Sequence, residues 1–304
     1  MKKIIVLSAI MAVMLLTWGS VAPAHAQDSA KDDKPTFYHL VPGTYVNGWP
    51  RCTVTYPKEW VEKRSMPPGS HWFEVFRAVR RGHAGDVFTI AVRSDTRPVD
   101  KLVDAVMGHF THEGAKGLAV VKDKPAQLSN GTPTREVEIH GILSGSPFSF
   151  SCLGVKHGDV WLMLQVSSRS KKIGAPLNAM LSSLRYEAVK DEPVEVPPDV
   201  QAFLDKADSD LASHDIAKVM SDYSEGYLNW GETKGERERG LTQAVKSYLT
   251  RHRTVITDFI AAGDRAYLAG FAATNLGTLP IIQTSIIKEN GEWRWYGNQR
   301  NVAP

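Results

Sequence analysis

Five side chains near the C-terminus carry the strongest binding chemistry in the sequence. Tyr223, Tyr227 and Trp230 cluster in one short segment, and Trp295 and Asn298 stand on a late apolar run. Rings supply large apolar faces with a polar tip, and pockets for small molecules are commonly lined by rings with a few convergent polar groups. The five are therefore expected to bind a ligand, with Asn298 orienting it. Period two places Trp293 with Trp295 on one strand face and Tyr296 with Asn298 on the other, so only one of those sets can face a pocket. Filling a small core is the alternative role for the rings.

Acid–base chemistry needs a positioned pair of titratable groups. The only candidate acid on the late strands away from turns is Asp258, with the nearest histidine, His252, at the end of a helix, and Asp258 has apolar neighbours on both strand faces, so a capping or solvated role is expected for it. Asp222 is expected to fix the chain after a helix. His109, His112 and Glu113 share a helix end, but two histidines three apart without a distant third ligand do not make a metal site. Gly145-Ser146 lacks the frame of a nucleophile elbow, and no glycine-rich phosphate loop opens a helix. No catalytic residue, metal or cofactor is expected. Arg77, Arg80, Arg81 and His83 form a local basic cluster, either a docking site for an acidic partner or a charged edge that discourages strand pairing.

The 304 residues, 42% apolar and 23% charged, correspond to about two folded domains at roughly 100–200 residues each. A net charge of +3, widely dispersed, excludes the basic stripe that nucleic-acid binding requires. Lys2 and Lys3, the apolar run from Ile4 to Trp18 and the sequence Ala24-His25-Ala26 read as a secretory signal cleaved after Ala26. No later stretch is long enough to span a bilayer, which points to the periplasm or a secreted state. In an oxidising space Cys52 and Cys152, both on apolar strand faces, are expected to form a disulfide; two unpaired buried thiols are the alternative.

These elements must position the candidate residues. A charged lead, 27–35, precedes strands at Arg51–Tyr56, Trp72–Val79, Val87–Val92, Thr134–Ile142, Phe148–Lys156 and Val160–Ser167, with helices after Pro98 and at Ala175–Leu184. Residues 189–198 hold three prolines and four charges and read as a linker. Around it the charge changes: residues 36–188 carry 19 basic and 13 acidic groups, residues 200–304 carry 12 and 13. Beyond it come helices at Asp199–His214, at Ile216–Met220 with Asp215 as N-cap, and around Leu241–Leu249. Strands follow at Thr254–Ala261, Arg265–Asn275, Leu279–Glu289 and Glu292–Asn298, the last two joined by Asn290-Gly291. The fold class is α+β in two domains, an antiparallel sheet with packed helices and then helices leading into a curled sheet.

Residues 36–188, with "TVTYPKEW" around Tyr56, Pro57 and Trp60, the Pro98 helix and the closing "LNAMLSSLRYE", resemble the PsbP fold. Members are mostly adaptor modules, so the resemblance implies a docking role. Residues 199–304, through "SHDIAKVMSDYSEGYLNWG" and "GEWRWYGNQR", resemble the nuclear transport factor 2-like (SnoaL-like) superfamily, which implies a cone used by isomerases, dehydratases and binding domains alike. The expectation is an exported, non-catalytic binding protein of the bacterial envelope, its cone holding a small molecule or an envelope protein. The alternatives are an isomerase, dehydratase or hydrolase using the cone pocket, and a structural module that forms a homodimer through the cone sheet.

Overall fold

A strand whose apolar residues run without interruption must be covered on both faces, and Val160–Ser168 is such a strand. In the computed structural model, which describes residues 43–62, 72–170, 173–188, 191–229, 231–247, 251–275, 277–282 and 284–298, every one of its residues but Ser167 is buried. Val160, Leu162, Leu164 and Val166 face one apolar cluster; Trp161 and Met163 face another.

The sheet around it is built from β3 (Trp60–Glu62), β4 (Phe73–Arg80), β5 (His83–Ser94), β6 (Lys116–Gln127), β7 (Pro133–Leu143), β8 (Ser146–His157) and β9 (Val160–Ser168), ordered β3-β4-β5-β9-β8-β7-β6 and antiparallel throughout. Helix α1 (Leu102–His112) buries Leu102, Ala105, Val106 and Phe110 on one face. Leu102 sits so close to the sheet that a Cβ on Gly154 would meet its Cδ2 at 2.6 Å. Helix α2 (Ala175–Ser182) covers the other face with Leu177, Met180 and Leu181. Beside α2 lies a small sheet of β1 (Thr44–Asn47), β2 (Cys52–Thr55) and β10 (Arg185–Tyr186). Strand β6 was not expected from the sequence. It is an edge strand, exposed at most positions and carrying Lys116, Lys122, Asp123, Lys124 and Pro125, so it lacks the apolar alternation of a half-buried strand while protecting the sheet from further pairing.

The expected disulfide is not formed: Cys52 and Cys152 are free thiols, both buried. Alternation did place each on an apolar face, but on opposite sides of the sheet. Cys52 packs in the cluster with Met180 and Tyr186, Cys152 in that with Phe110 and Trp161. Burial pushes the Cys52 thiol up to about 12 and raises that of Cys152 as well.

In the C-terminal half, helices α3 (Pro198–Ala212), α4 (Ile216–Ser221) and α5 (Lys234–Ser247) are interleaved with β11 (Tyr223–Asn229) and β12 (Glu232–Thr233). Asp215 caps α4 as expected, accepting from Ala217 N and Lys218 N. Strands β13 (Arg251–Ala262), β14 (Arg265–Thr274), β15 (Gly277–Pro280), β16 (Ser285–Glu289) and β17 (Glu292–Gly297) complete a second seven-stranded sheet, ordered β12-β11-β17-β16-β14-β13 with β15 on β14. The run expected as one strand over Leu279–Glu289 is two, β15 and β16. Strand β11 runs parallel to β17 and antiparallel to β12, so the sheet is mixed at that edge.

All described residues belong to one compact unit, and polar contacts knit its halves. Gly48 lies against β14: a Cβ there would collide with Ala269 and come within 2.5 Å of Tyr267 Oη. Trp49 packs its ring on Phe271 at 4.7 Å between centroids and donates from Nε1 to Asp191 Oδ1 at 2.6 Å. His157 Nε2 meets the same oxygen at 2.8 Å, and its Nδ1 meets Tyr186 Oη at 2.7 Å. Nε2–H donating to the carboxylate and Nδ1 accepting from the tyrosine hydroxyl is the arrangement that satisfies all three groups. Burial first, then Asp191 and Cys52, push Tyr186 up to about 12, which keeps that hydroxyl a donor. Beyond Asp191 the linker residues are exposed as far as Val196, which is partly buried, yet Val194 N donates to Ile256 O at 2.9 Å.

A second cluster closes the end of β5. Asp95, 9% exposed, accepts from Arg97 N (3.0 Å), Nε (2.9 Å) and Nη2 (2.6 Å) and from Arg93 Nε (3.1 Å). Both guanidinium groups lie over the Trp161 ring. The Arg97 side-chain hydrogen bond outweighs burial and, with the neighbouring charges, holds the Asp95 carboxyl down to about 2.

Two measurements check these assignments. Thiol labelling of the denatured, unreduced chain should modify both cysteines, and a labelling-resistant pair would contradict the buried free thiols. Asp95→Asn should cost about 1–2 kcal/mol at pH 7, less than the full linkage value because Arg97 is half exposed. A carboxyl whose pKa is depressed on folding stabilises the fold above its unfolded value near pH 4 and loses that contribution as pH falls toward 2. Unfolding curves of wild type and variant should therefore converge between about pH 4 and pH 2; a gap independent of pH would contradict the clamp.

Candidate functional site

Strand β11 sets the site. Tyr223, Ser224, Tyr227 and Asn229 are buried, while Glu225 and Leu228 are exposed. Tyr223 lies opposite Trp295 on the neighbouring β17, its ring makes an edge contact with Tyr227 at 5.0 Å, and Trp295 makes one with Phe203 at 5.1 Å. Three of the five expected ligand residues, Tyr223, Tyr227 and Trp295, are thus brought together, at 5%, 2% and 3% exposure, in an apolar cluster with Leu204 and Leu241. Asn298 lies past the end of β17, half-buried, with its backbone N–H donating to Leu228 O at 3.2 Å. Trp230 lies outside the described residues.

One end of this cluster is polar. Asn229 pairs with Glu232 across the β11–β12 hairpin, so both side chains share a face. Glu232 Oε2 stands 3.7 Å from Arg237 Nη1 on α5, and Arg237 also bonds Tyr223. Burial works against the guanidinium charge, but Tyr223, Tyr227 and Glu232 together outweigh it and raise its pKa above the ordinary value. Asn229 Oδ1 and Arg237 Nε are buried there without a hydrogen-bond partner. A buried polar atom left unpaired costs about 1–3 kcal/mol, so an acceptor beside Arg237 together with a donor beside Asn229 is the chemistry this end lacks. Asn229, Glu232 and Arg237 were not singled out in the sequence. The signal was there in part, because Asn229 alternates with Tyr227 and the chain turns at Gly231, whose φ is 81°.

The other candidates fall elsewhere. Asp258 accepts from Arg51 Nη2 at 3.1 Å and so serves the contact between the halves; the side chain of His252 lies outside the described residues. Asp222 is 3% exposed, bonds Lys206 from α3 and accepts the Trp295 backbone N–H at 2.7 Å through its carbonyl. It fixes the chain, as expected. His109 stacks on Trp72 at 4.4 Å, and among the described residues no three His, Cys, Asp or Glu side chains converge to hold a metal. No helix among them is long and apolar enough to cross a membrane.

No family model and no curated protein matches the chain. Among solved structures it is similar to cyanobacterial PsbP (CyanoP) from Synechocystis sp. PCC 6803 at 8% identity and a TM-score of 0.39, over 47% of this chain and 91% of that one. It is also similar to the Ran-binding protein Mog1p of Saccharomyces cerevisiae at 10% identity and a TM-score of 0.34, over 44% of this chain and 89% of that one. A Bacteroides thetaiotaomicron protein is similar over 83% of this chain and 88% of its own length, at 10% identity and a TM-score of 0.32.

Proposed function

We propose that this protein is an exported binding protein of the bacterial envelope. Its C-terminal half, 199–304, read as a nuclear transport factor 2-like cone, holds a small polar ligand, and its N-terminal half, 36–188, read as a PsbP-like module, docks a partner. The observation that carries the ligand reading is the pair of unpartnered buried atoms, Asn229 Oδ1 and Arg237 Nε, at the polar end of the ring cluster. A molecule with a carboxylate or carbonyl toward Arg237 and a hydroxyl or amide donor toward Asn229 satisfies both, with Tyr223 and Tyr227 as its walls. Export rests on the signal pattern of residues 1–26, which lie outside the described residues, and docking rests on the sequence resemblance of the first half. Binding without turnover is favoured because Asp258, the one acid singled out on the late strands, already pairs with Arg51.

A thermal-shift panel of small hydroxy acids and amides tests this reading. A compound at about a hundred times its Kd raises the unfolding free energy by about 2.7 kcal/mol, and that gain should vanish in Arg237→Leu and shrink in Asn229→Ala while Asp258→Asn retains it. A panel without effect, or a shift that survives Arg237→Leu, would contradict it. Turnover of a panel compound abolished by Asp258→Asn would establish the enzyme reading instead.

A further inference from the structure

The basic cluster noted in the sequence does not act as one patch. Arg77 is paired with Glu74 at 3.2 Å on the same strand. Arg80 and His83, opposite each other across the β4–β5 turn, instead open onto a cleft of about 230 Å³ whose far wall is the start of α2. Asp86 holds Arg80 in place: its Oδ2 stands 3.6 Å from Arg80 Nη1, and its Oδ1 accepts from Ser168 Oγ at 2.7 Å. That carboxylate is thereby occupied, while most of the five guanidinium donors stay available.

Three further features converge on the same space. Helix α2 begins with Gly174 as N-cap, which supplies no side-chain acceptor, and Gly174, Pro176 and Leu177 line the cleft. First-turn N–H groups have no partner within a helix, and the helix N-terminus carries a partial positive charge. Trp60, 4% exposed, also lines the cleft, with its Nε1 buried and without a hydrogen-bond partner. The apolar part of the lining comes from the Trp60 ring, Pro176 and Leu177. The volume lies below the roughly 300–1,000 Å³ of sites for drug-sized ligands.

We propose that this cleft binds the carboxylate of a small organic acid with a short apolar tail. The carboxylate takes hydrogen bonds from Arg80, His83 and the first turn of α2, and the tail lies against Trp60 and Leu177. The site is separate from the ring cluster of the C-terminal half and does not depend on it.

Titration calorimetry of the full mature chain with sodium butyrate tests the proposal, with 1-butanol and inorganic phosphate as comparators. Butyrate should bind saturably at one site, butanol should not, and phosphate should bind more weakly. Arg80→Gln should weaken butyrate by roughly tenfold or more, the worth of one charge-assisted hydrogen bond. Trp60→Phe should weaken it less, with the circular dichroism spectrum unchanged. Should Arg80→Gln fail to fold, the exposed His83→Gln decides in its place, and a severalfold loss is expected. Absence of saturable binding, equal binding of butanol, tighter binding of phosphate, or butyrate affinity unaltered by the Arg80 or His83 variant would overturn the proposal.

Discussion

One carboxylate oxygen, Asp191 Oδ1, receives hydrogen bonds from both Trp49 and His157, and it fixes the linker beside the ring that meets the second sheet. Trp49 precedes β2, His157 ends β8, and Asp191 stands where the chain leaves the first half. Each of the first two is nearly buried, at 6% and 7% exposure, so each needs a polar partner, and the linker delivers one acceptor to both. The Trp49 ring then presses on Phe271 of the second sheet, which converts a hydrogen-bond requirement into an apolar contact between the halves. Gly48 permits the approach, since any larger residue would meet Ala269.

The same logic of supplying partners to buried polar atoms separates structure from function elsewhere. Asp95, Asp222 and Asp258 are each satisfied by neighbouring cations, and they are accounted for as clamps. Asn229, Arg237 and Trp60 each retain a buried polar atom without a partner, which clamps do not require. At the ring cluster a bound ligand would offset that desolvation cost.

Much of the fold was legible because alternation and helical spacing are local. Strands β7, β8 and β9 and helices α1, α2 and α3 lie within a few residues of their expected places, and Asp215 caps α4 as its side-chain chemistry demands. What escaped was non-local or lacked an apolar signal. Strand β6 is charged along its length, β11 was read as chain after a helix, and the two thiols shared an apolar character without sharing a side of the sheet. The ring cluster was half legible: Tyr223, Tyr227 and Trp295 do meet, but Arg237 reaches them from a helix, and no spacing rule relates it to them. His157 read as part of a turn, and its partners, 29 and 34 residues away, carry no mark in sequence.

The claim that Asp191 ties the halves through His157 is tested most directly by a double-mutant cycle in urea at pH 7 on wild type, His157→Phe, Asp191→Ala and the double variant. A part-buried charge-assisted hydrogen bond predicts a coupling energy of about 1–3 kcal/mol, with each single variant costing more than its share of the double. Additivity to within about 0.5 kcal/mol would contradict the account and leave the cohesion of the two sheets to their other contacts, Trp49 on Phe271 and Arg51 with Asp258 among them.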